Sequence, residues 1–269
     1  MQNQTRIIIE NVKPQLDGGV FYIKRIVNQN VLVSANIFSD GHDVIACCVK
    51  FKHDLEKKWS EVRMSPTEND EWSVDFKVTK QGVYYYFIEG WVDYALNWQH
   101  GTERKIKDNQ HVKSELLEGA EYCLAILKEV SKEEKVYLNE VIKSFQDEKL
   151  YGKAVEFALS NELHQIFIKY PTRTLANTSA ELKVYVDRKK ALFSTWYEFF
   201  PRSASENPGK HGTFKDCERL LPRVLEMGFD TLYFPPIHPI GEVNRKGKNN
   251  ATNAENGDVG SPWGIGSKY

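Results

Sequence analysis

Trp196-Tyr197-Glu198-Phe199-Phe200-Pro201-Arg202-Ser203 is an aromatic run that stops at a proline. It reads as a short strand, because rings suit a pleated surface and Pro201 cannot donate to a ladder. Phe214 to Met227 reads as an amphipathic helix, and Thr231-Leu232-Tyr233-Phe234 as a second strand ending at Pro235-Pro236. A long Gly/Asn/Lys loop then carries Arg245-Lys246-Gly247-Lys248-Asn249-Asn250. Strand, helix, strand and a loop rich in hydrogen-bonding groups open a parallel α/β unit, whose ligands meet the loops at the carboxyl ends of the strands.

The helix carries its own punctuation. Thr213 caps the first-turn amides and Asp216 lies in the positive end of the dipole. Phe214, Cys217, Leu221, Val224 and Leu225 form the stripe expected to be buried. Pro222 removes an amide donor, so a kink or restart is expected there. Met227-Gly228 closes the helix through a left-handed cap.

Upstream, residues to about Trp98 read as short strands and turns. Val31, Val33, Ala35 and Ile37 alternate with polar neighbours, the period of a half-buried strand. Asp40-Gly41 reads as a hairpin turn into Val44–Phe51, and Glu71–Val78 and Val83–Glu89 add two strands. This spacing predicts an immunoglobulin-like β-sandwich. A turn accounts for Asp40-Gly41-His42-Asp43 without a metal. Trp59, Trp72, Tyr84, Tyr85, Tyr86, Trp91 and Trp98 read as a core with one exposed face, the rival reading being a sugar-stacking platform.

Composition shifts near Gly101 to Glu, Lys, Leu and Ala. Leu116, Ala120, Cys123, Leu127 and Val130 form one helical stripe, and Leu138, Val141, Ile142 and Phe145 a second. Tyr151–Leu159 and Leu163–Phe167 predict two more helices. The four pack as a small bundle, read either as a partner surface or as a self-contained bundle. Asn177–Ala180 reads as a loop. Glu181–Asp187 alternates again, as the last strand of the sandwich, which makes the bundle an insertion.

The chain has 269 residues, 41% hydrophobic and 27% charged, with a net charge of -1. That is a soluble globular composition, with no reason to expect nucleic acid. No run of ~18 apolar residues predicts a membrane span. Met1-Gln2-Asn3-Gln4-Thr5 lacks an apolar signal region. Cys47, Cys48, Cys123 and Cys217 form no metal-like pairs, as expected of reduced thiols in a cytoplasmic chain. The triplets at Asn3, Asn177 and Asn250 read as chance glycosylation matches.

Tyr197–Ser203, His211-Gly212-Thr213-Phe214, Met227-Gly228-Phe229-Asp230 and Tyr233–Gly241 resemble the first βα unit and second strand of glycoside hydrolase family 13. Asn244–Asn250 and Gly260–Ser267 resemble, more narrowly, the α-1,4-glucan:maltose-1-phosphate maltosyltransferases. Val12-Lys13-Pro14, Phe38–Asp43 and Trp91-Val92-Asp93 resemble the N-terminal domain of that family, so the likeness spans essentially the whole chain.

The resemblance implies transfer of a maltosyl unit from α-maltose 1-phosphate to the non-reducing end of an α-1,4-glucan, with release of phosphate. Configuration is retained through an Asp nucleophile and a Glu acid/base ~5–5.5 Å apart. Both are expected beyond Tyr269, so no residue here is assigned either role, and this chain alone is expected to be inactive. Glu198 and Asp230 read as strand neighbours and Asp216 as a cap. Lys246 and Asn250 match the loop that reaches the maltosyl unit: Lys offers three donors, and Asn a donor and an acceptor. Without the resemblance, Arg245–Lys248 reads as a solvated basic turn. A phosphate loop around Gly264-Ile265-Gly266 lacks its remaining glycine. No metal or cofactor is implied; a homodimer is.

The expected architecture is multidomain. A β-sandwich spans residues 1–100 and is completed by a strand at 181–188. A helical bundle is inserted at 101–177. The opening of an incomplete (β/α)8 TIM barrel spans 191–269. The alternatives are another family-13 enzyme of amylase or branching type, and a non-catalytic glucan-binding or dimerisation module.

Overall fold

The computed structural model describes residues 5–267, and the chain divides between Arg188 and Lys189 into two compact units. The amino-terminal reading of Met1 to Gln4, with the Asn3 triplet, lies outside the described residues.

The first unit begins with β1 (Ile7–Lys13), β2 (Ile23–Ile26), β3 (Asn30–Ser39), β4 (Ile45–His53), β5 (Ser60–Arg63), β6 (Ser65–Pro66), β7 (Glu71–Lys77) and β8 (Gly82–Val92). Five helices follow: α1 (Tyr94–Lys107), α2 (Lys113–Ile126), α3 (Lys132–Gln146), α4 (Tyr151–Ala158) and α5 (Asn161–Lys169). The chain then returns as β9 (Asn177–Thr178) and β10 (Leu182–Asp187). One sheet has the order β1-β3-β7-β6; the other has β2-β10-β8-β4-β5, with β9 also on β8. Their inner faces share one core. Val31, Val33, Ala35 and Ile37 from the first sheet meet Val49, Tyr86, Ile88 and Val184 from the second.

Asp40-Gly41 is not a hairpin turn. β3 and β4 belong to different sheets, so this segment crosses the sandwich. Local turn chemistry is the same for a hairpin and an arch; which strands pair is a long-range choice. Arg6 binds both flanking carboxylates, at 2.9 Å from Asp40 and 2.7 Å from Asp43.

Helix begins earlier than the composition shift at Gly101. Asp93 caps α1 by accepting from the Leu96 amide at 3.2 Å, so Trp98 belongs to a helix that the strand reading missed. The bundle core takes Trp98 from α1, Leu116, Ala120 and Cys123 from α2, and Leu138, Val141 and Phe145 from α3. Leu127 and Val130 lie past the last residue of α2, so that stripe is shorter than its periodicity suggests. Helices and sheets are tied together. Arg63 of β5 donates to the Ile168 carbonyl at 2.9 Å, and Arg173 stacks over Trp91 at 4.5 Å while binding Glu61 and Glu89.

The second unit holds β11 (Trp196–Glu198), α6 (Phe214–Glu226) and β12 (Thr231–Tyr233), with β11 and β12 parallel. Thr213 and Asp216 form a reciprocal capping box, and Gly228 adopts φ 85° just past the helix. Pro222 does not interrupt α6. It lies on the exposed side, where a carbonyl without its helical donor faces water. Only Cys217 and Val224 of the expected stripe are buried; Phe214, Leu221 and Leu225 are exposed. Two strands are too narrow to cover the whole face of a helix.

Candidate functional site

The site is built where β11 and β12 end. Beyond β11 the chain runs through Phe199 and Phe200 into a short turn at Pro201–Ser203; beyond β12 it enters Phe234-Pro235-Pro236. The loop from Ile240 to Gly266 lies against these two ends. Ile240 and Ile265 pair as an antiparallel bridge, the Gly241 amide donates to Gly264 O at 2.6 Å, and the Gly266 amide to Pro239 O at 3.1 Å. Both ends of the loop are thereby pinned.

Arg245 holds its middle. The guanidinium donates to Gly241 O at 3.0 Å, Ile240 O at 3.0 Å and Asp258 O at 3.3 Å. Arg202, just past β11, donates to Gly260 O at 2.9 Å. The buried Asp258 carboxylate accepts from the Glu255 amide at 2.8 Å. Two glycines permit the close approach. A Cβ on Gly247 would lie 2.3 Å from Asn253 O, and one on Gly260 would lie 2.9 Å from both Ile240 and Arg245. Asn249 and Asn250 adopt φ of 54° and 62°, the left-handed region that Asn tolerates.

Lys246 and Asn250 line one cleft of about 390 Å3, together with Phe200, Arg202, Asp258 and Trp263. Lys246 is half-buried and has no hydrogen bond or ion pair among the described residues; Asn250 is exposed. An adjoining cleft of about 600 Å3 is lined by Phe200, His211, Phe214, Pro236, His238 and Arg245. A free ammonium, an amide and aromatic walls are suited to a polyhydroxylated ligand: donors for hydroxyls and rings for C–H faces.

Two of the three carboxylates singled out in the sequence make local bonds that serve the fold. Asp216 accepts from the Thr213 amide and hydroxyl, each at 2.7 Å, and these bonds lower its pKa. Asp230 accepts from the Thr195 amide at 3.2 Å and the Thr231 hydroxyl at 3.0 Å. Glu198 is exposed on β11. Among the described residues no three His, Cys, Asp or Glu side chains cluster as a metal site. Sequence reasoning missed the anchoring work of Arg245, Arg202 and Asp258. Arg245 looked like one charge in a basic turn, and nothing local marks the carbonyls that it reaches.

A family model described as alpha-1,4-glucan:maltose-1-phosphate maltosyltransferase, domain N/S, matches residues 5–188. A curated protein of that enzyme name from Methylacidiphilum infernorum (isolate V4) is 40% identical over 99% of this chain and 40% of its own length. Its namesake from Chlorobaculum tepidum is 42% identical over 97% of this chain and 39% of its own length. The protein of the same name from Myxococcus xanthus is 40% identical over 97% and 40% respectively. The chain thus spans about two fifths of the length of these relatives.

Proposed function

The chain belongs to the α-1,4-glucan:maltose-1-phosphate maltosyltransferase family, and from that membership we propose that it forms the N-terminal part of an enzyme with that activity. The enzyme moves maltosyl units from α-maltose 1-phosphate to the non-reducing ends of α-1,4-glucans and releases phosphate. Its two displacements retain configuration through an Asp and a Glu outside these 269 residues, a reading supported by the chain's spanning about two fifths of its relatives' length. Lys246 and Asn250 contribute one wall of the donor pocket. The observation that carries this role is the Arg245-anchored loop, which holds an unpaired ammonium in a cleft at the carboxyl ends of two parallel strands.

The same reading extends to architecture. Residues 5–93 with the strand at 182–187 form an immunoglobulin-like domain, 94–169 an inserted bundle, and 191–267 the start of a family-13 (β/α)8 barrel. The enzyme is a cytoplasmic homodimer. No helix among the described residues is long and apolar enough to cross a membrane.

The test is phosphate release from α-maltose 1-phosphate with glycogen. The enzyme comprising this chain and the remainder found in its relatives releases phosphate, Lys246→Ala in it lowers kcat/KM at least tenfold, and the 269-residue chain alone releases none. Phosphate release by the chain alone, or full activity in Lys246→Ala, overturns this assignment.

A further inference from the structure

The outer face of the second sheet carries a row that runs straight across its strands. Lys183 of β10 pairs in register with Tyr85 of β8, and Tyr85 with Lys52 of β4. Extending the β10–β2 and β4–β5 registers by one residue adds Tyr22 at one end and Trp59 at the other. Ring, ammonium, ring, ammonium, ring therefore succeed one another on neighbouring strands. Strands lie ~4.8 Å apart, so alternate rings are spaced ~10 Å. The row points away from the core, because its sequence neighbours Tyr84, Tyr86, Val184 and His53 are the buried ones.

The two lysines, like Lys24 over the Tyr185 ring on the same face, stand without a carboxylate. Lys50 is neutralised by Glu89 at 2.8 Å. Lys52 and Lys183 have no carboxylate or hydrogen-bond partner among the described residues; their ammoniums lie 4.6 Å from the Trp59 ring centroid and 5.7 Å from that of Tyr22. Partly exposed contacts of this kind are weak, so a ligand can displace a lysine from a ring at little cost.

We propose that this row is a docking surface for an α-1,4-glucan chain, separate from the loop cleft of the second unit. Rings spaced along a line stack on the C–H faces of successive sugars, and the ammoniums between them donate to hydroxyls. A polyphosphate suits the row less well: three of its five members are rings, only two are cations, and the chain as a whole has a net charge of -1. The identity of the polymer rests on the family reading above; the row itself does not.

Native electrophoresis of the full chain through gels with and without glycogen tests this. The chain is retarded by glycogen and not by dextran. Trp59→Ala and Tyr85→Ala each weaken the retardation at least tenfold in apparent Kd with unchanged circular dichroism, and Lys52→Gln weakens it with every ring in place. Lys149→Ala, on the helical bundle, migrates like the parent. The proposal is overturned by an unretarded parent, by retardation that survives both ring substitutions, by loss in Lys246→Ala alone, or by preferential retardation with single-stranded oligonucleotide. Failure of phosphate release in the complete enzyme, by contrast, sinks the family reading and leaves the gel result standing.

Discussion

Gly119 of α2 and Gly101 of α1 make a matched pair in which packing and propensity oppose each other. Both sit in helix interiors, where replacing Gly by Ala gains ~0.5–1 kcal/mol in backbone entropy. Around Gly101 a Cβ meets no atom within 4 Å, so Gly101→Ala keeps that gain and stabilises the chain by ~0.5–1 kcal/mol. At Gly119 a Cβ would lie 2.1, 2.6 and 2.8 Å from three atoms of the Trp98 ring. That ring cannot retreat cheaply. Its Nε1 donates to Glu115 O at 2.6 Å, and Phe145 and Phe167 pack within 5.8 and 6.2 Å of it. Overpacking of a filled core costs ~1–3 kcal/mol, and displacing the indole also endangers a hydrogen bond worth ~1 kcal/mol. Steric cost wins, and Gly119→Ala loses ~2 kcal/mol net. Urea denaturation followed by far-ultraviolet circular dichroism reads both variants as shifts in midpoint at equal slope. The expected gap is ~3 kcal/mol in favour of Gly101→Ala. A Gly119→Ala protein as stable as the parent would refute the claim that Trp98 is wedged against α2.

Glu134 gives a pH dependence with a definite sign. The Lys169 ammonium first, and then the Ser131 amide, hold its carboxyl at about 2 instead of 4.5. A depressed acid stabilises the fold above its unfolded pKa, so this contribution is present above pH 4.5 and is lost as pH falls toward 2. Glu134→Gln therefore flattens the acid limb of a urea-midpoint profile; an unchanged limb contradicts the capping role. Burial raises all four thiols, Cys48 to about 11 and Cys123 to about 12, so none reacts promptly with a disulfide reagent at pH 8 in the folded chain. Cys217 is expected to be labelled first, because its unit is built on only two strands; earlier labelling of Cys123 reverses that order of stability. Arg245→Ala removes the fork that gathers three carbonyls, and Lys cannot replace it. Hydrogen exchange at the Gly247 and Ala251 amides accelerates at least tenfold while Val33 in β3 is unaffected; equal protection in the variant rules out Arg245 as the anchor.

Sequence alone determined the features set by local chemistry. The alternation in β3, the stripe of α3, the Thr213–Asp216 box and the Gly228 cap are properties of a few adjacent residues, and each appears in the structure. The family was legible because Asn244–Asn250 and its neighbours are a dense run of distinctive residues. Only tertiary structure decided the rest. Asp40-Gly41 crosses between sheets because pairing is a competition among distant strands, and α6 exposes Leu225 because burial depends on what stands opposite. Arg245 became an anchor only when the carbonyls of residues 240, 241 and 258 converged on it. The aromatic row was likewise invisible as a unit. Its members are scattered from Tyr22 to Lys183, and strand register alone brings them into line. A side chain's local conformation is set by its immediate neighbours, whereas its partners are set by chain closures that run from about a dozen residues, as at Arg245, to about a hundred, as between β8 and β10.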